Sequence, residues 1–122
     1  MAEICDYKDL IVWQKGRLLA KEAYSLIRKL PKEEQYGLGS QMQRSAISIP
    51  SNIAEGYGRN YRTDYIRFLN IARGSCYELE TQLILCEDLG YFTAEQIANS
   101  ISTLRDVECL LNALIRKLEA TK

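Results

Sequence analysis

The chain has 122 residues, 47% of them hydrophobic, and its sixteen Lys and Arg are balanced by sixteen Asp and Glu. That is enough chain for one domain with a real core, and the zero net charge excludes a general pull on nucleic acid or an anionic membrane. There is no histidine, which removes Ser-His and Cys-His nucleophile pairs, H-E-x-x-H zinc sites and Glu-x-x-His di-iron sites together.

No G-x-x-x-x-G-K-[ST] loop and no G-x-G-x-x-G turn occurs, so no cofactor is expected. The N-terminal residues carry acids where a secretory signal needs bases, and no stretch approaches the roughly 20 apolar residues of a membrane span. A cytoplasmic protein without membrane contact is expected. Cys5, Cys76, Cys86 and Cys109 lack C-x-x-C spacing, and the last three fall at apolar positions. They read as reduced thiols rather than a disulfide or zinc framework.

Helices account for the whole pattern. Trp13, Gly16, Ala20, Ala23, Ile27 and Leu30 step by three and four, with Val12, Leu19 and Leu26 as a second row, which predicts a first helix over about 8–30. Pro31 stops it. A short helical turn is expected at 32–36, and Ser40-Gln41-Met42-Gln43 fits a capping box for a second helix over about 39–57. Along that helix Leu38, Met42, Ser45, Ile49, Asn52 and Gly56 form one stripe, and glycines at 56 and 58 mark its end. Asn60 or Thr63 is the expected cap of a third helix over about 61–89, roughly 40 Å long. Its Tyr65, Leu69, Ala72, Cys76, Leu79, Leu83 and Cys86 keep the same rhythm. Gly90 closes it, and Thr93-Ala94-Glu95-Gln96 opens a fourth helix over about 93–120 with Ile97, Leu104, Val107, Leu111, Leu114 and Leu118 inward. The expected fold is all-α: a single domain over 1–122 forming an up-down-up-down antiparallel four-helix bundle.

Residues 45–59, Ser-Ala-Ile-Ser-Ile-Pro-Ser-Asn-Ile-Ala-Glu-Gly-Tyr-Gly-Arg, break the simple pattern. Pro50 inside a helix leaves the Ala46 carbonyl without a donor, at a cost of about 3 kcal/mol unless neighbours compensate, and Ser48 and Ser51 are the natural compensators. Small residues here let another backbone approach, and Asn52 beside Ile49 and Ile53 needs hydrogen-bond partners if buried. Three readings stand: a packing or assembly seam carried by Ser45, Ile49, Pro50, Asn52, Ile53, Glu55 and Gly56; a simple bend with Asn52 at a wet edge; or a carboxylate site built on Glu55 with Asn52. The first is favoured.

The run Leu30-Pro31-Lys32-Glu33-Glu34, Gly37-Leu38, Ser40-Gln41-Met42, Arg44-Ser45-Ala46, Ser48 to Gly56 and Gly58-Arg59 resembles the signature of the four-helix-bundle proteins encoded in intervening sequences of bacterial large-subunit ribosomal RNA genes. Leu10 to Lys15 and Tyr65 to Ser75 match that family in their places, so the resemblance spans nearly the whole chain. It implies a ring-like homo-oligomer, a pentamer of bundles standing around an axis, and kinship with the accessory variability protein of diversity-generating retroelements. That relative binds a reverse transcriptase and nucleic acid through a basic surface, whereas this chain is neutral.

Two functions follow as expectations. The first is a non-enzymatic homo-oligomeric scaffold, with seams from the first two helices and a protein partner on its outer surface. The alternative is an RNA- or DNA-associated accessory protein using Lys15, Arg17, Lys21, Arg59, Arg62, Arg67 and Arg73 on phosphates, with Tyr57 and Tyr61 for stacking.

Overall fold

The computed structural model describes residues 3–121. Four helices carry the chain, α1 (Ile11–Ile27), α2 (Leu38–Tyr57), α3 (Arg62–Asp88) and α4 (Ala94–Ala120), with 3₁₀ turns at Tyr7–Asp9 and Lys32–Glu34 and no strand among the described residues. Each helix packs against its two neighbours in the cycle α1, α2, α3, α4, so α1 and α3 stand at opposite corners. Consecutive helices run in opposite directions. Met42 meets Cys86, Ser48 meets Ser75 and Gly56 meets Tyr65 between α2 and α3, while Arg105 meets Glu80 and Asn112 meets Arg73 between α4 and α3.

The core is where the three-four rhythm of each helix points. Leu19, Ile27, Met42, Ile49, Ile53, Leu69, Leu79, Leu83, Leu104 and Leu111 are fully buried. On α1 both rows reach the core, Val12, Leu19 and Leu26 beside Gly16, Ala23 and Ile27, whereas Trp13 and Ala20 are only half-buried. On α4, Leu114 and Leu118 are half-buried and Ile115 takes the inward position instead.

Helix ends differ from the sequence pattern where long-range contacts supply the caps. The first helix is shorter than 8–30 because residues 7–9 form their own 3₁₀ turn, boxed by Asp6 and Asp9, before Leu10 turns extended. At its other end the Gln35 amide donates to the carbonyls of Ile27 and Leu30 at 3.2 and 3.0 Å, satisfying acceptors that a longer helix would have used. Ser40 does not cap α2. It lies inside the helix, Gly37 is the N-cap, and the Glu34 carboxylate accepts from the Leu38 amide at 3.3 Å. Neither Asn60 nor Thr63 caps α3, whose N-cap is Tyr61 without a side-chain bond. The Thr93 and Gln96 capping box is present, and Gly90 closes α3 at φ +80°, a left-handed conformation suited to glycine. The Tyr91 hydroxyl donates to Glu34 at 2.6 Å, pinning the α1–α2 and α3–α4 connections together at one end of the bundle.

Candidate functional site

The block at 45–59 lies in the second half of α2, and its residues divide by direction. Ile49 and Ile53 are core, and Pro50 is half-buried within a helix that continues through it. Gly16 of α1 packs here: a Cβ on it would lie 3.4 Å from Ile49 and 3.7 Å from the Pro50 Cα. Of the glycines, Gly56 allows the tightest approach, because a Cβ there would sit 2.9 Å from the Phe68 Cβ and 3.2 Å from the Tyr65 carbonyl oxygen. Ser45 and Gly56 are both buried within the single chain.

Asn52 has partners of its own. Its amide donates at 2.8 Å to both the carbonyl and the hydroxyl of Ser48, and the Ser48 and Ser75 hydroxyls are 2.8 Å apart. This answers the cost of a half-buried amide inside the chain, without a second copy. Ser51 is exposed and forms no such bond. Glu55 is exposed and paired with Arg59 at 3.0 Å, so Glu55 and Asn52 serve separate contacts rather than one carboxylate site.

The polar side of α2 faces a matching strip on α3 that the heptad reading passed over. Gln41, Arg44, Ser45 and Ser48 line a hollow of about 460 Å³ together with Ser75 and Glu78. Gln82, one turn beyond Glu78, is 7% exposed and its Oε1 is buried without a partner. The three-four spacing of Ser75, Glu78 and Gln82 was the available signal.

The candidate phosphate-binding bases are dispersed. Lys15 pairs with Asp106 at 3.4 Å, Arg67 with Asp64 at 3.6 Å, and Arg73 donates to Asn112 and Asn70 at 2.9 and 2.6 Å. Arg17 lies over the Trp13 ring, and Arg59 and Arg67 each lie 4.7 Å from the centre of the Phe68 ring. Lys21 and Arg62 are exposed. Arg59 and Arg67 converge on Phe68 at the α2–α3 corner, and Arg17 and Lys21 lie one turn apart on the exposed side of α1. Arg73 points instead toward α4. Tyr57 packs edge-on against Tyr65, and Tyr61 is exposed.

A second polar feature spans α3 and α4. Arg105 donates to Glu80 Oε2 through Nε at 3.2 Å and Nη2 at 2.9 Å, and Glu108 has a buried oxygen without a partner. Burial, and then the neighbouring Glu80 carboxyl, push Glu108 up to about 7. The thiols are set by burial in the same way. Cys76 is pushed up to about 12, mainly by desolvation and then by Glu108 and Glu80; Cys86 reaches about 11 through desolvation and Glu34. Cys109 is exposed, not apolar core, because Val107 and Leu111 turn inward and leave it on the opposite side of α4. A disulfide-forming thiol reagent at pH 8 should therefore label Cys5 and Cys109 in the native protein, and Cys76 and Cys86 only after unfolding. Rapid labelling of all four thiols would contradict the burial of these two. No group of three or more metal-ligating side chains occurs among the described residues.

The family model described as 23S rRNA-intervening sequence protein matches residues 8–113. The chain belongs to that family. A solved structure has the same fold: a protein of unknown function from the S23 ribosomal protein family of Bacteroides thetaiotaomicron. It is 29% identical, with a TM-score of 0.81, covering 86% of this chain and 98% of that one. No curated protein matches the chain. In this member of the 23S rRNA-intervening sequence family, the signature block builds internal packing against α1 and α3 as well as one wall of a polar hollow. No helix among the described residues is long and apolar enough to cross a membrane.

Proposed function

We propose that the protein is a non-enzymatic scaffold that assembles with copies of itself. The observation that carries this reading is that α3 leaves four large apolar side chains exposed besides those it sends into the core. Leu69, Ala72, Cys76, Leu79 and Leu83 fill the core, while Ile71, Tyr77, Ile84 and Leu85 are 43, 49, 46 and 44% exposed on the solvent side. Large apolar side chains left exposed along one helix, with Ile84 bordering a groove against Ala94, Ile97 and Ile101 of α4, favour another chain. The opposite corner of the bundle offers a second such surface, where Ile11 and Leu18 of α1 are exposed beside the apolar hollow formed by Leu10, Leu110 and Leu114.

Two different apolar surfaces on opposite corners suit a head-to-tail contact, which closes into a ring when the rotation permits. A pentamer is the ring implied by the family resemblance. Zero net charge means that copies do not repel one another at long range. The seam we propose lies on α1 and α3, rather than on α1 and α2 as the sequence favours, because the small residues of α2 already pack within the chain.

Sedimentation velocity at micromolar concentration is expected to report a closed multimer, and a monomer there would overturn the reading. Ile84→Glu removes an exposed side chain worth about 1.5–3 kcal/mol when buried, so association should weaken by about ten- to a hundredfold with helix content unchanged. Unchanged assembly would exclude the outer face of α3 as the seam. The nucleic-acid reading, with its kinship to the retroelement accessory protein, is weaker on this surface because Lys15, Arg59, Arg67 and Arg73 are already engaged within the chain.

A further inference from the structure

The hollow between α2 and α3 has hydrogen-bonding capacity that the chain leaves unused. Asn52 Nδ2 brings only protons, so Ser48 Oγ accepts from it at 2.8 Å. The two hydroxyls of Ser48 and Ser75 bring one proton each, and a single proton spans the 2.8 Å between them. The other has no acceptor among the described residues, whichever way the pair is oriented. Ser45 forms no hydrogen bond with either hydroxyl, and its own proton goes to the Gln41 carbonyl at 3.2 Å. Ser75 is 7% exposed, so this polar pair forms a buried floor rather than loose surface.

Charge is arranged around that floor in two separate signs. Arg44 on α2 and Glu78 on α3 both line the hollow, yet they do not form an ion pair with each other or with another described residue. A cation and an anion on opposed helices, held apart over a free hydroxyl proton, match a ligand that carries both charges. The volume of about 460 Å³ lies within the range of small-molecule sites, roughly 300–1,000 Å³.

We propose that this groove binds a small zwitterion of the free α-amino acid class. The carboxylate takes the Arg44 guanidinium and the free serine proton, and the ammonium faces Glu78. Both interactions are charge-assisted, and they lie beside a wall that excludes water on one side. The groove is built from one chain, and its Glu78, seven residues from both Ile71 and Leu85, borders the proposed seam.

Isothermal titration with glycine, alanine, serine, glutamate and arginine at millimolar concentration tests it, alongside the N-acetyl and amide derivatives of each. Arg44 and Glu78 are exposed at the rim, so Arg44→Gln and Glu78→Gln should fold normally, which circular dichroism verifies. At least one free amino acid is expected to bind saturably, and each variant or blocked derivative should lose about tenfold or more, the worth of one charged hydrogen bond. Three results would each overturn the proposal: no binding by any free amino acid, equal binding by the blocked forms, or binding indifferent to both variants.

Discussion

Gly56→Ala is expected to destabilise the protein by about 1–2 kcal/mol, although glycine to alanine in an open helix interior is worth about 0.5–1 kcal/mol in the stabilising direction. The sign is decided by what the new methyl meets. The Phe68 Cβ at 2.9 Å and the Tyr65 carbonyl oxygen at 3.2 Å are both fixed to the backbone of α3, so neither can move aside by changing a rotamer. Relief requires α2 and α3 to separate at the corner where Arg59 and Arg67 flank Phe68, disturbing those contacts as well. Gly74→Ala is the internal control: it lies in the middle of α3 with nothing within 4 Å of the added Cβ. Urea unfolding should give a lower midpoint for the first variant and a higher one for the second, with unchanged slopes. A Gly56→Ala protein as stable as the parent would show that the corner is loose.

The helices were legible because burial repeats with the helical period, and Leu69, Ala72, Cys76, Leu79, Leu83 and Cys86 are all inward in the structure as their spacing required. The same periodicity explains what was missed. It ranks apolar positions, so polar residues facing a neighbouring helix are invisible to it; Ser75 and Gln82 are buried against expectation. Caps failed for a different reason. Ser40 has the right local sequence, but Glu34, folded back by the 3₁₀ turn after Pro31, reaches the Leu38 amide first and lets α2 begin before Ser40. Asn52 beside Ile49 and Ile53 needs partners, and its first, Ser48, is one turn away in the same helix; only the onward link from Ser48 to Ser75 depends on the register of α2 against α3, which no single helix encodes.

Register also creates the pairing of Glu80 with Glu108, and with it the second large effect: stability should fall as pH rises from about 5 to 8, and Glu108→Gln should abolish that slope. The folded carboxyl holds its proton up to about 7, against an ordinary value of 4.5, because its environment disfavours the charge and Glu80 is beside it. Proton binding thus favours the folded state. The contribution is complete below the ordinary value and is withdrawn as pH passes through the folded one. Arg105 opposes the shift but is committed to Glu80, with both its Nε and Nη2 on one oxygen. The absence of histidine makes the measurement clean, because no other side chain has an unperturbed titration in that window. Subtracting the variant's profile from the parent's cancels the terminal amine, which titrates near its upper end. Urea midpoints at pH 5 should nearly coincide, whereas at pH 8 the glutamine variant should be the more stable, since it carries no charge to bury against Glu80. If the two profiles keep the same slope, the proton is not held at Glu108, and the α3–α4 seam is open enough for both carboxylates to stay ionised.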